Sequence, residues 1–230
     1  SKMEISQKHA FWEALVISIF IFGLGVLIGV FIENSRAGKI SELYLKSEID
    51  MMDIKIQTEM LDLNLDCEEI NAENIKFGDK IYNEAKILDR YESASRITSS
   101  LKEQHRRYDL LRTLFWMNSI KIKEKCGFKF SNVVYLYDYQ PNSISDKDKQ
   151  VVFSRYLMDL KQKYGNEIIL IPIAKSMNLS SLDMFIKQFN ISSSAGIVLD
   201  EKIVVDKLEN LGKIADYLET KSDNIGASHF

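Results

Sequence analysis

Gly196-Ile-Val-Leu199, a polar break Asp200-Glu-Lys202, and Ile203-Val-Val205 form the stretch whose reading decides the fold. Two short β-branched runs around a three-residue break read as a β-hairpin. Outward from it, Leu208 to Leu218 has the spacing of a closing helix. Toward the other end, Leu179 to Ile191 reads as a helix with Leu182, Phe185, Ile186 and Phe189 on one side. Glu167-Ile-Ile-Leu-Ile-Pro-Ile-Ala174 is a buried strand, and its Pro172 argues for a strand edge or end. Val151, Val152, Tyr156, Leu160 and Tyr164 mark an amphipathic helix stopped at Gly165. Asn132-Val-Val-Tyr-Leu-Tyr137 is a first strand of β-branched and aromatic residues. Between them, Tyr139-Gln-Pro-Asn-Ser-Ile-Ser-Asp146 is a loop that ends in helix-starting residues. The order is β-α-β-α-β-β-α.

The whole chain has 230 residues, 46% hydrophobic and 27% charged, with a formal net charge of −3. That is enough apolar material for a core, and it excludes disordered and collagen-like chains. The near-neutral charge argues against nucleic acid as a partner. Two cysteines exclude a disulfide-dense miniprotein and an all-cysteine zinc site. The three histidines, His9, His105 and His229, show no ligand spacing, and nothing implies a metal or a cofactor.

A mean hydropathy of −0.14 hides one segment. Ala14 to Ile32, ALVISIFIFGLGVLIGVFI, is nineteen residues without a charge, bracketed by Glu13 and Glu33. At 1.5 Å per residue it spans about 28 Å, close to the thickness of bilayer hydrocarbon. Trp12 suits an interfacial aromatic belt. A buried core helix and a cleaved signal peptide, with Ser35 and Ala37 before Gly38, are the rival readings. The run exceeds a signal peptide's usual apolar stretch, so an uncleaved signal anchor is expected. Lysines and arginines on its two sides orient it weakly: Lys2 and Lys8 precede it, and Arg36, Lys39 and Lys46 follow. A short leading tail and a large following domain suit a single-pass cell-membrane protein, N-terminus cytoplasmic and C-terminal domain outside. Gly25 and Gly29 make a G-x-x-x-G match, a candidate dimerisation face.

From Lys39 to Cys126 there is no proline and one glycine, Gly78. Such composition favours long helices. Leu45, Ile49, Met52, Ile56 and Leu63 follow one helical face; Ile70, Phe77, Ile81, Leu88 and Tyr91 a second; Leu101, Tyr108, Leu111, Phe115 and Ile122 a third. Each is expected to line a bundle seam, with helices over 33–64, 67–95 and 100–126. Asp66 with Glu69, and Ser100 with Glu103, have the spacing of helix starts. Short breaks favour antiparallel neighbours. Cys67 then starts the second helix and Cys126 ends the third at the same end, so one disulfide is expected if this part lies outside the cytoplasm. Two buried free thiols are the alternative.

The expected class is α/β, α+β overall. It comprises a tail (1–13), a transmembrane helix (14–32), an antiparallel three-helix stalk (33–127), a β-α-β-α-β-β-α domain (128–221) and a flexible tail (222–230). A ferredoxin-like sandwich would read β-α-β-β-α-β, so a hairpin followed by a helix favours a minimal thioredoxin-like domain. The stretches Tyr108-Asp-Leu-Leu-Arg-Thr-Leu-Phe-Trp116, Lys123-Glu-Lys-Cys-Gly127, Val134-Tyr-Leu-Tyr137 and Phe189-Asn-Ile191 before Ile197-Val-Leu199 carry a resemblance. The chain resembles a group of archaeal membrane-anchored proteins with a transmembrane helix, a helical stalk and a thioredoxin-like domain. The resemblance implies that architecture and brings no activity with it. A thioredoxin's redox site needs a cysteine pair where the first helix begins, because the helix terminus lowers the thiol pKa. Here residues 139–150 contain no cysteine, and Ala195 stands where the family has a cis-proline. Both the C-x-x-C and the cis-proline are missing, and serine does no thiol exchange.

Three function classes follow. The leading one is a membrane-anchored, non-redox, peptide- or protein-binding adaptor, using Pro141, Asn142, Ser143, Ser145, Ser193, Ser194 and Ala195 as its surface. The second is a structural or homo-oligomeric envelope scaffold built on the bundle. The third is an atypical thiol-disulfide oxidoreductase using Cys67 and Cys126. The partners implied are the lipid bilayer, a protein or peptide, and a second copy. Other features read as ordinary surface. Asp146 and Asp148 suit a helix start, Arg106 and Arg107 a solvated helix face, and Tyr135, Tyr137 and Tyr139 core and rim packing. Asn178-Leu-Ser180 and Asn190-Ile-Ser192 match the N-glycosylation pattern, a frequency chance alone gives, and matter only if the domain faces outward.

Overall fold

A computed structural model describes residues 2–63, 66–94 and 99–226. The chain divides into two compact units, Ser1–Leu43 and Tyr44–Phe230. In the first, His9–Ser35 of helix α1 (Lys2–Met60) is long and apolar enough to cross a membrane. Its phenylalanines and branched aliphatics are exposed all round, so this stretch packs on nothing among the described residues. A Cβ added at Gly25 or Gly29 would meet nothing, so that face is open.

The second unit contains the rest of α1, a 3-10 turn Leu61–Leu63, α2 (Cys67–Ala94) and α3 (Ser99–Cys126). Asp66 starts α2 by accepting a hydrogen bond from the Glu68 amide at 2.9 Å. Contacts fix the directions. Ser119 donates to Asn74, Tyr108 to Glu84, and Cys67 is bonded to Cys126, so α2 and α3 are antiparallel. Thr58 donates to Asn118 at 2.8 Å and Lys80 pairs with Asp50, placing the end of α1 beside both.

The remaining elements are β1 (Ser131–Tyr137), α4 (Ile144–Tyr164), β2 (Ile168–Ala174), α5 (Ser180–Ile186) with a 3-10 turn Lys187–Phe189, β3 (Ala195–Leu199), β4 (Ile203–Val205) and α6 (Gly212–Gly226). They form one mixed sheet in the order β2-β1-β3-β4. β1 and β2 are parallel, β3 is antiparallel to β1, and β4 is antiparallel to β3. Pro172 sits on β2, an edge strand, as its missing N–H requires. α6 runs on to Gly226, so the first part of the expected flexible tail is helical, and 227–230 lie outside the described residues.

One face of the sheet carries Val133, Tyr135, Leu170, Ile197 and Leu199 against Phe153, Leu157 and Leu160 of α4 and Ile214 and Leu218 of α6. The other face is covered by α2 and α3, which pack on β2 and β1. Gly78 shows how closely: a Cβ there would lie 2.9 Å from Ile169 and 3.3 Å from Phe115. The helices expected to stand apart as a stalk are therefore one layer of the sheet's own unit. They bury the hydrophobic strand residues that a two-layer domain would leave wet.

The α1 seam is a second correction. Leu45, Ile49, Met52, Ile56 and Leu63 are 59–72% exposed, whereas Ile54 and Leu61 are buried. The stripe is real, but it faces solvent. The helix turns Ile54, Thr58 and Asp50 toward α2 and α3 instead. Hydrogen bonds to Asn118 and Lys80 hold that rotation.

Candidate functional site

The candidate surface lies where β1 and β2 end and β3 begins. The Lys175 amide donates to the Tyr137 carbonyl at 2.8 Å and the Asp138 amide to the Ser194 carbonyl at 3.0 Å, drawing the three chain segments together. Tyr139 N–H donates to Ser176 Oγ at 2.8 Å, and Lys175 pairs with Asp138 at 2.6 Å.

The proposed surface residues divide into two sets. Asn142, Ser143 and Ser145 are exposed, and Pro141 is half-buried. Ser143 caps α4: its Oγ accepts from the Asp146 amide at 3.1 Å and donates to the Asp146 carboxylate at 2.7 Å. The hydrogen bond from Ser143 holds the Asp146 carboxyl below its ordinary value. Ser193, Ser194 and Ala195 are tied to α4. Lys149 donates to Ser193 Oγ and to the Asp206 carbonyl, and Gln150 donates to the Ser194 and Asp138 carbonyls. Ala195 is fully buried. No peptide bond among the described residues is cis. The exposed part of the edge is thus the tip Pro141–Ser145, and residues 193–195 are its floor.

Beneath the edge is a buried charged cluster that spacing alone did not reveal. Arg112 and Asp109 of α3 are 1% and 0% exposed and 3.1 Å apart. Asp109 Oδ1 accepts from the Ala174 amide at the end of β2 (3.3 Å), and its Oδ2 lies 3.3 Å from His105 Nε2. His105 Nε2 also meets the Tyr137 hydroxyl at 3.3 Å, and its ring lies 4.4 Å from that of Tyr139. The Arg112 guanidinium sits over the Tyr108 ring at 4.1 Å. Burial pushes Arg112 down, but Tyr108, Tyr137 and Asp109 outweigh it and hold the group above its ordinary value, so it stays charged. Burial raises the Tyr108 hydroxyl and the Glu84 carboxyl to which it donates. In sequence His105, Asp109 and Arg112 fall at i, i+4 and i+7, on the face of Tyr108 and Leu111, but that placement alone does not distinguish a buried pair from a surface one. Arg107 lies toward solvent, paired with Glu48, whereas Arg106 is half-buried, pairs with Glu103 and donates to the Asn178 carbonyl at 3.2 Å.

Both cysteines lie elsewhere. Cys67 at the start of α2 and Cys126 at the end of α3 form a disulfide with Cα atoms 5.7 Å apart. No dithiol remains for the β1–α4 junction. Among the described residues no group of three or more His, Cys, Asp or Glu is placed to hold a metal ion. The geometry offers a rigid, hydrogen-bonded edge with an exposed tip.

These features define an α+β protein with one apolar helix, a bundle clasped by a disulfide, and a four-stranded mixed sheet. No protein-family model, no curated protein and no solved structure matches this chain.

Proposed function

We propose that this chain is a membrane-anchored, non-redox thioredoxin-like adaptor that binds a peptide or protein partner outside the cytoplasm through its β1–α4 edge. The single observation that carries the reading is the division of labour between cysteines and edge. The strand order β2-β1-β3-β4, with α4 capped by Ser143 at the end of β1, supports a thioredoxin-like reading of this edge. Yet both cysteines are spent in a disulfide between α2 and α3. A scaffold that keeps the edge without the dithiol is suited to recognition, since fold alone does not dictate chemistry. The disulfide supports an oxidising compartment, and the His9–Ser35 helix supports attachment to a bilayer.

The test uses the full chain in detergent. Asn142→Arg and Ser145→Arg alter the exposed tip without touching Lys149 or Gln150. Loss of one defined cross-linked partner from both variants, with an unchanged melting temperature, is expected; retention of that partner contradicts the edge. Insulin reduction should stay at the uncatalysed rate, and reduction abolished by Cys126→Ser would replace the reading with an oxidoreductase.

A second reading, self-association, is favoured by the exposed stripe Leu45, Ile49, Met52, Ile56 and Leu63. Its three-four spacing is that of a two-helix seam. Ile49→Lys with Ile56→Lys should convert a dimer to a monomer by light scattering, and a monomeric wild type removes this reading.

A further inference from the structure

Of the thirteen asparagines, Asn178 and Asn190 alone carry a serine or threonine two residues on. In the structure these two tripeptides have the same build. Asn178 and Ser180 are exposed while Leu179 between them is buried. Asn190 and Ser192 are exposed while Ile191 packs on Gly196, its Cγ2 3.0 Å from where a Cβ would stand. In both, an exposed asparagine and an exposed serine flank a packed aliphatic residue. Joint presentation is what an N-x-S acceptor needs, because the hydroxyl is read with the amide. Both asparagines lie in loops with positive φ, 52° and 50°, a conformation asparagine tolerates. They bracket α5 and its 3-10 turn.

We propose that Asn178 and Asn190 are N-glycosylation sites, and that their glycans border the β1–α4 edge. The co-substrate class is a lipid-phosphate-linked oligosaccharide. The amide Nδ2 forms a bond to the anomeric carbon as the anomeric C–O bond to phosphate breaks. The lipid phosphate leaves with that electron pair, and the amide nitrogen gives up one proton. The location follows from the fold. The 175–178 turn is held to the end of β1 by the Lys175 amide and Ser176 Oγ, and the 190–194 loop by the Ser194 carbonyl. Sugars there would flank Pro141–Ser145 and restrict the edge to a narrow partner segment. The inference rests on the outward-facing topology of the proposed function.

The test expresses the full chain in its own host with an Asn-Gly-Ser acceptor appended after Phe230, and reads intact mass and gel mobility before and after deglycosylation. The expected result is three glycans. Asn178→Gln and Asn190→Gln should each remove one, Ser180→Ala and Ser192→Ala should do the same, and the double asparagine variant should keep only the tail glycan. A glycosylated tail with Asn178 or Asn190 bare overturns the assignment of that asparagine. A bare tail and two bare asparagines overturn the outward topology itself, and the sites with it.

Discussion

Asp200 concentrates much of the sheet's tertiary bonding in one carboxylate. It follows β3 with φ of 48°, and Glu201 follows it at 57°, the positive values a tight hairpin turn needs. Asparagine, aspartate and glycine tolerate that region best. Its carboxylate accepts from the Asn132 amide (2.8 Å), Tyr217 (3.1 Å), Lys221 (2.8 Å) and Lys123, so β1, α3 and α6 meet there. Burial alone would raise this carboxyl, but hydrogen bonds from Lys123 and Lys221 outweigh it and hold the group below its ordinary value. Burial and then the Asp200 charge push the Tyr217 hydroxyl up to about 12. Because the folded Asp200 titrates below the unfolded one, its contribution is complete above the unfolded pKa of about 4 and is lost as pH falls through the folded value. Asp200→Asn should cost about 2–4 kcal/mol at pH 7, at the lower end of buried-pair losses because both lysines reach solvent. Urea unfolding at pH 7 and pH 3 checks this: the wild type should lose more stability on acidification than the variant. Equal losses would remove Asp200 as the acid-sensitive group. None of this convergence was legible in Asp200-Glu-Lys202, which showed only a turn, because the donors come from residues 77 and 21 positions away as well as from Asn132.

At the scale of elements, helical periodicity identified faces without saying what covers them. For α3 the reading held: Leu101, Tyr108, Leu111, Phe115 and Ile122 are all buried. For α1 the same spacing marks the exposed face, since the inward face is narrow and includes polar residues such as Asp50 and Thr58. Ile54→Ala should therefore cost about 2–5 kcal/mol, whereas Ile49→Ala and Ile56→Ala should each change stability by less than about 0.5 kcal/mol. Reversed costs in denaturant titrations would restore the seam read from sequence. The lone glycine of the helical region has a packing reason that composition could not show. Gly78 lets α2 approach Ile169, so Gly78→Leu should destabilise by about 1–3 kcal/mol despite leucine's better helix propensity. A variant as stable as the wild type would mean α2 stands off the sheet. The antiparallel pair α2 and α3 was legible because short breaks leave adjacent helices few other arrangements.

For the molecule as a whole, local patterns reached the strands and helices but not their layering. The runs 132–137, 168–174, 195–199 and 203–205 are strands, because their β-branched residues and turn punctuation agree. That α2 and α3 cover the sheet depends on contacts between distant residues, such as Gly78 with Ile169. The candidate edge was only half legible. Pro141–Ser145 was read from the junction, but Ala195 is buried and the bonds from Lys149 and Gln150 reach residues 44 positions away, beyond any local pattern. The charges beneath it were hidden because buried ion pairs look like surface ones in sequence. The disulfide is the part of the chain where sequence, fold and compartment meet. Its separation of 59 residues gives a loop-entropy contribution of roughly 4 kcal/mol, which Cys67→Ser with Cys126→Ser should remove in urea unfolding. The central claim, an outward-facing unit whose cysteines are a structural clasp, is tested most directly by thiol labelling on intact cells. A membrane-impermeant maleimide should label neither Cys67 nor Cys126 at first, and both after a membrane-impermeant reductant. Labelling without reduction, or labelling that appears only once the membrane is permeabilised, would contradict it.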